Sequence, residues 1–190
     1  GGGAGDAGGG RGDGPVCAGE LSTAASWLGA FFYGLQISFD FGGYSDMAIG
    51  LGKMFGFDFL ENFRYPYLAQ SVTEFWRRWH ISLSTWFRDY VYIPLGGNRN
   101  GTVAMYRNLF ITFFISGIWH GAAWTFVIWG TLHAIGIVIT RELEQSVFYR
   151  TRVPRLAKQI AVFTFVSFTW IFFRAGSLPD ALLIVNRVFT

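Results

Sequence analysis

The feature that most constrains this chain is a set of long runs nearly free of charge, bounded by arginines. They are "STAASWLGAFFYGLQISFDF" (22–41), "MYRNLFITFFISGIW" (105–119), "AAWTFVIWGTLHAIGIVIT" (122–140) and "AKQIAVFTFVSFTWIFF" (157–173). A membrane-crossing helix needs roughly 20 apolar residues; three of these runs approach that, and 105–119 is short for a full crossing. In lipid the backbone must satisfy its own hydrogen bonds, and an isolated span can do so only as a helix. The composition agrees: 52% of residues are hydrophobic, 19% aromatic and only 14% charged. Soluble domains carry about a quarter charged residues. These runs predict an all-α, polytopic membrane protein. The segment 44–57, "YSDMAIGLGKMFGF", is too short to cross alone; it is expected to complete a broken helix or to dip in and return. The end, "SLPDALLIVNRVFT", reads as a short capped helix at the interface.

The charges define sides rather than a nucleic-acid surface. The net charge of +3 comes from basic residues in two zones. Arg64, Arg77, Arg78, Arg88, Arg99 and Arg107 form one, and Arg141, Arg150, Arg152, Arg155 and Lys158 the other. If the runs around His120 form a hairpin, both zones fall on one side, which the positive-inside rule labels cytoplasmic. The His120–Gly121 tip then points into the membrane or toward its far side. The single cysteine, Cys17, excludes an intrachain disulfide framework and a multi-cysteine metal site. Residues 1–20 are glycine-rich and lack the apolar core of a signal peptide. They are expected to be disordered or a boundary artefact, with 21–190 forming a partial transmembrane domain of a longer protein.

The connection between the first and second runs has a pattern of its own. "SVTEFWRRWHISLSTWFRDYVYIP" places Val72, Phe75, Trp76, Trp79, Leu83, Trp86, Phe87 and Tyr90 at helical spacing on one face. Ser71 and Glu74 fit a capping box, Glu74 can pair with Arg78, and Pro94 with Gly96–Gly97 fits a stop. An amphipathic helix is expected here, lying in the membrane interface or across the mouth of a bundle.

Several residues stand out chemically. His120, in "SGIWHGAAW", is an ionisable group inside an apolar run; such groups face a cavity or a partner. It could serve as a proton acceptor near neutral pH or as a neutral interhelical hydrogen-bonding group, and chemistry alone weighs these equally. His80, in "FWRRWHISLSTW", reads as an interfacial histidine among tryptophans, with a catalytic or donor-binding role as the alternative. His133 reads as helix-packing polar glue. No histidine pair has metal-ligand spacing, and no Gly-x-Ser-x-Gly elbow occurs. Asp40 and Asp46, beside Gly42, Gly43 and Gly50, suggest a helix broken inside the membrane, with the acids paired to arginines such as Arg77 or Arg88 and a catalytic carboxylate as the lesser alternative. "YIPLGGNRNG" is either a cytoplasmic turn or a basic, glycine-rich phosphate cradle.

Three stretches together carry a resemblance: "FDFGGYSDMAIGLGKMFGF", "ENFRYPYLAQSVTEFWRRWHISLSTWFRDYVYIPLGGNR" and "RNLFITFFISGIWHGAAWTFVIWG". They are similar to the membrane-bound O-acyltransferase (MBOAT) family, in its bacterial alginate O-acetyltransferase branch, with teichoic-acid D-alanyl transferases more distant. The resemblance runs from about Ser26 to Ala181. It implies a multispanning helical fold around a tunnel, here partial, with an amphipathic or re-entrant region. It places the principal catalytic histidine at His120 and the second at His80, and marks the Asp40–Asp46 stretch as tunnel scaffold. It implies transfer of an acyl group, acetyl foremost, from a cytoplasmic donor such as acetyl-CoA to an extracytoplasmic polysaccharide. Arg77, Arg78 and Arg99 are then candidates for the donor's phosphates. No bound cofactor is expected. The implied setting is the bacterial inner membrane, with periplasmic acetyltransferase partners. The competing readings are a non-enzymatic channel or export subunit, or an inactive piece of a split gene.

Overall fold

The computed structural model describes residues 22–189, so the expectations for residues 1–20 and Cys17 lie outside the described residues. Those described are helical, with no strand among them. α1 (Thr23–Met54) starts at Ser22, whose side-chain oxygen accepts the Ala25 N–H at 3.2 Å. An irregular reversal and a single 3₁₀ turn (Pro66–Leu68) lead to α2 (Val72–Trp76) and α3 (Ile81–Phe87). A π-helical turn (Arg88–Tyr92) and a glycine turn lead into α4 (Gly101–His120) and α5 (Trp124–Gln145). The short α6 (Val147–Arg152) precedes α7 (Arg155–Arg174) and α8 (Leu178–Phe189).

Two expectations are corrected. The first run and the glycine-rich segment after it are not broken; α1 is continuous through Gly42 and Gly43. Each glycine costs about 1 kcal/mol relative to alanine, too little to interrupt a helix whose other faces are apolar. The helix instead stops at Phe55, where Gly56 takes φ +82° and the Phe57 N–H turns back to the Gly52 carbonyl at 2.9 Å. At 32 residues α1 is about 48 Å long, longer than the hydrocarbon layer. The amphipathic connection is likewise not one helix. It breaks between Trp76 and Ile81, with His80 at φ +45°. The capping box forms as expected at its start: Ser71 Oγ accepts the Glu74 N–H at 3.2 Å. Glu74 reaches back to the Gln70 N–H at 2.7 Å and holds Arg78 at 2.7 Å. Burial opposes ionisation of Glu74, but these partners outweigh it and hold the carboxyl below its ordinary range.

Of the expected spans, α5 and α7 are long and apolar enough to cross a membrane. α7 lies at the centre, packing on α1, α5 and α8. Its Val166, Trp170 and Ile171 are buried. The core is largely aromatic: Trp79 lies 5.3 Å from Trp170 and 5.6 Å from Phe75, and Trp129 stacks 6.0 Å from Trp170. Aromatic rings supply large buried area without adding charge to a lipid-facing bundle. The opposite faces of α1 and α4 expose Phe32, Phe39, Met47, Phe114 and Ile118.

The α4–α5 hairpin is the most extensively packed pair. Two glycines set its spacing. A Cβ on Gly117 would lie 2.5 Å from the Phe126 carbonyl oxygen, and one on Gly130 would lie 2.4 Å from that of Phe113. Small residues allow such close helix approach in membranes. Gly130→Ala is therefore expected to destabilise the bundle by about 1–3 kcal/mol, read as a lower thermal midpoint in detergent. Gly42→Ala, with nothing within 4 Å, is the control and should not lower it. Equal midpoints for the two variants would refute the close-packing argument.

Candidate functional site

The three histidines are committed to their surroundings to different degrees. His133, on α5, is fully buried. The Trp76 indole N–H reaches its Nδ1 at 3.2 Å. An indole only donates, so Nδ1 accepts and the ring proton sits on Nε2. Nε2 then donates to Thr169 Oγ1 at 3.0 Å, and the Thr169 hydroxyl donates to the Val166 carbonyl at 2.7 Å. Both ring nitrogens are used, and α2, α5 and α7 are tied together. The expectation of interhelical glue describes this arrangement.

His120 ends α4, with Gly121 after it in an extended conformation. Its half-buried ring is boxed by Trp119 (4.9 Å), Trp129 (5.1 Å) and Phe173 (5.2 Å), with Phe126 at 6.3 Å. No hydrogen bond to either ring nitrogen occurs among the described residues. The Trp129 indole N–H, in the same box, is also buried without a partner there.

His80 lies between α2 and α3. Phe41 of α1 meets its ring edge-on at 4.7 Å, and Phe63 stacks at 6.4 Å. Its Nδ1 is 3.3 Å from Asn62 Oδ1. Burial pushes its pKa down to about 4, and the nearby His120 adds to the effect. Phe87, at the end of the helix that His80 begins, meets the ring of Trp119, the neighbour of His120, at 6.3 Å.

Two arginine-lined cavities adjoin this region. The larger, about 490 Å³, is lined by Trp76, Arg77, Ser84, Arg88, Ser116 and Arg141 among others. Ser116 lies one helical turn before His120 on α4, and Ile81, next to His80, is also in the wall. Neither histidine itself lines it. The smaller, about 300 Å³, shares Arg88, Tyr92 and Asn98 with the first and adds Gly96, Gly97 and Arg99. Gly96 and Gly97 turn the chain at φ +108° and +55°. The buried Asn108 donates to the Gly97 carbonyl at 3.1 Å and ties this turn to α4.

The candidate arginines thus separate. Arg77 and Arg99 line cavities, whereas Arg78 is clamped by Glu74 and lines neither. Sequence reasoning missed Arg88 and Arg141 as lining residues. The hairpin logic could have found Arg141, because it places both basic zones at one end, and Arg88 and Arg141 come from the two different zones. Asp40 and Asp46 are a correction. Both are exposed on α1 and form no ion pair among the described residues, so neither meets Arg77 or Arg88. On that helix Phe41 and Ser45, one turn apart, occupy the inward face and the acids are rotated away from it. Nor do the described residues bring together three histidine, cysteine, aspartate or glutamate side chains as a metal site.

A helical membrane bundle with an aromatic-boxed histidine beside basic cavities defines the class, and the sequence match defines the family. The chain belongs to the MBOAT, membrane-bound O-acyltransferase family, whose model matches residues 20–178. Among its relatives, a probable alginate O-acetylase of Azotobacter vinelandii is 52% identical over 90% of this chain and 34% of its own length. A peptidoglycan O-acetyltransferase of Helicobacter pylori is 44% identical over 88% of this chain and 32% of its own. A teichoic acid D-alanyltransferase of Bacillus subtilis is 36% identical over 54% of this chain and 28% of its own. The chain spans about a third of the length of the first two relatives.

The His133 arrangement generates a stability prediction. His133→Ala leaves the Trp76 indole and Thr169 hydroxyl short of a partner and opens a void, costing about 2–5 kcal/mol. A lowered thermal midpoint in detergent checks this. A midpoint equal to wild type would show that the tie carries no stability.

Proposed function

We propose that this chain contributes the histidine-bearing part of a membrane O-acyltransferase. In this reading an acyl group, acetyl foremost, passes from a cytoplasmic donor toward an extracytoplasmic polysaccharide of the alginate kind. The observation that carries it is the free state of His120. His133 has both ring nitrogens bonded and His80 has one engaged, whereas His120 has neither engaged among the described residues. A histidine held by ring packing alone, with open nitrogens, can take a proton from an acceptor hydroxyl as it attacks the acyl carbonyl. The Trp129 indole N–H is a spare donor in the same box for the oxygen that gains charge. Arg77, Arg88 and Arg141 around the larger cavity, with Arg99 in the smaller, suit the phosphates of a donor such as acetyl-CoA. Both basic zones would face the cytoplasm of a multi-pass inner-membrane protein, and hand-off to periplasmic acetyltransferase partners would complete the reaction.

The test uses the complete protein in its own membrane. His120→Ala at equal membrane level should lower acetyl ester addition to secreted polysaccharide by about 10²–10⁴-fold. His120→Gln, which keeps size and hydrogen bonding but is not a base at neutral pH, should fail equally. Wild-type ester levels in both His120→Ala and His80→Ala would overturn the reading.

A further inference from the structure

His80 is one of two non-glycine residues held at positive φ among the described residues, at +45°. Such a backbone costs about 1–3 kcal/mol and persists only where its surroundings hold it. The holding group is Asn62. Its backbone carbonyl accepts the Ile81 N–H at 3.0 Å. Its side-chain Oδ1 accepts the Ser82 N–H at 3.1 Å and the Ser82 hydroxyl at 3.0 Å. Its Nδ2 donates to Ser45 Oγ on α1 at 3.2 Å. One side chain thus joins α1 to the turn that presents His80.

These bonds also fix which way the amide lies. A backbone N–H can only donate, so the atom facing Ser82 N–H must be the oxygen. His80 Nδ1 stands 3.3 Å from that same oxygen. Two bare acceptors do not sit in hydrogen-bond contact, so Nδ1 carries the proton. Ser82 Oγ, 3.4 Å from Nδ1, can share it as a second acceptor. We propose that Asn62 is a positioning residue for His80: its side-chain oxygen holds the ring as the Nδ1–H tautomer and leaves Nε2 as the open proton acceptor. The functional half rests on the acyl-transfer reading above, extended to His80 as the second histidine that the family resemblance implies. Partners of this kind orient histidine ligands in metal sites by the same means.

The charged groups near His80 are few. His120 approaches from α4, Glu61 and Arg64 beside Asn62 pair with each other at 2.8 Å, Arg77 is exposed, Arg78 is held by Glu74, and Asp40 beside Phe41 is exposed. Replacing Asn62 by a carboxylate therefore introduces the nearest anion.

The experiment uses the complete protein with ¹⁵N-labelled histidine, the His80 signals being identified by their loss in His80→Gln. At neutral pH the wild-type ring should show a protonated Nδ1 and a bare Nε2. Asn62→Ala should give a mixture of tautomers and lower kcat by about 10–100-fold, with the donor KM nearly unchanged. Asn62→Asp keeps the acceptor oxygen, so it should restore the single tautomer. It should also raise the pH at which the His80 ring nitrogens titrate, because an adjacent carboxylate favours the imidazolium. A bare Nδ1 in the wild type, or an unchanged tautomer in Asn62→Ala, overturns the assignment. The wild-type spectrum decides it even where Asn62→Ala does not fold. If His80→Gln keeps full activity, the role of His80 in the reaction falls, and the nitrogen spectrum alone judges Asn62.

Discussion

The contact on which the rest of the arrangement depends is the chain of hydrogen bonds from Trp76 through His133 to Thr169. The connection between the first and second apolar runs has only two short helices, α2 and α3, which could not stand alone. Its place against α5 and α7 is fixed because a tryptophan that must donate meets an imidazole that must accept. Phe75 and Trp79 then pack behind Trp76 into the aromatic core. With that segment seated, His80 is brought against α1, and Trp76 and Arg77 become walls of the larger cavity. Trp129 lies between His133 and His120, 5.0 Å from one ring and 5.1 Å from the other. The structural histidine and the open one therefore share a single aromatic wall.

The α4–α5 hairpin supplies the second constraint. Gly117 and Gly130 bring the two backbones into contact just before the hairpin tip, so His120 emerges where the helices are closest. This explains why an ionisable residue is tolerated there. It sits at a helix end beside a turn, half-buried among rings, rather than in mid-helix facing lipid. Polar groups at membrane depth are sustainable where protein or a cavity surrounds them.

The helical class, the hairpin, the capping box and the Glu74–Arg78 pair were legible because each is written at local spacing. Apolar runs, a Ser-x-x-Glu box and an i,i+4 charge pair are signals within one or two turns. The break at His80 was not legible. The apolar pattern from Val72 to Tyr90 continues across it, and the agent of the break, Asn62, lies 18 residues upstream. The continuity of α1 was missed for the opposite reason. Asp40, Gly42, Gly43 and Asp46 are local signals of interruption, yet they lie on faces that meet little or nothing among the described residues, so no packing enforces a break. The acids do not meet Arg77 or Arg88 because the pairing needs a particular face of α1 to turn toward that connection, and no local spacing in the sequence specifies which face does. Of the 38–50 stretch, the inward face is Phe41 and Ser45.

The same reasoning orders the three histidines more firmly than motif position does. All three lie in apolar surroundings, so burial alone cannot separate a structural ring from a reactive one. What separates them is the count of nitrogens left open. His133 has none, because a donor on one side forces a proton to the other, where a hydroxyl takes it. His80 has one, because an amide oxygen fixed by a backbone N–H claims Nδ1. His120 has both, held in place by ring packing that uses no nitrogen at all. A ring that must gain and release a proton within one cycle is best held by contacts that need not break when its charge changes, and the aromatic box around His120 is of that kind. A ring held by hydrogen bonds on both sides would have to break one of them each time it was protonated. On this argument proton transfer belongs to His120, orientation through a single fixed tautomer to His80, and architecture to His133.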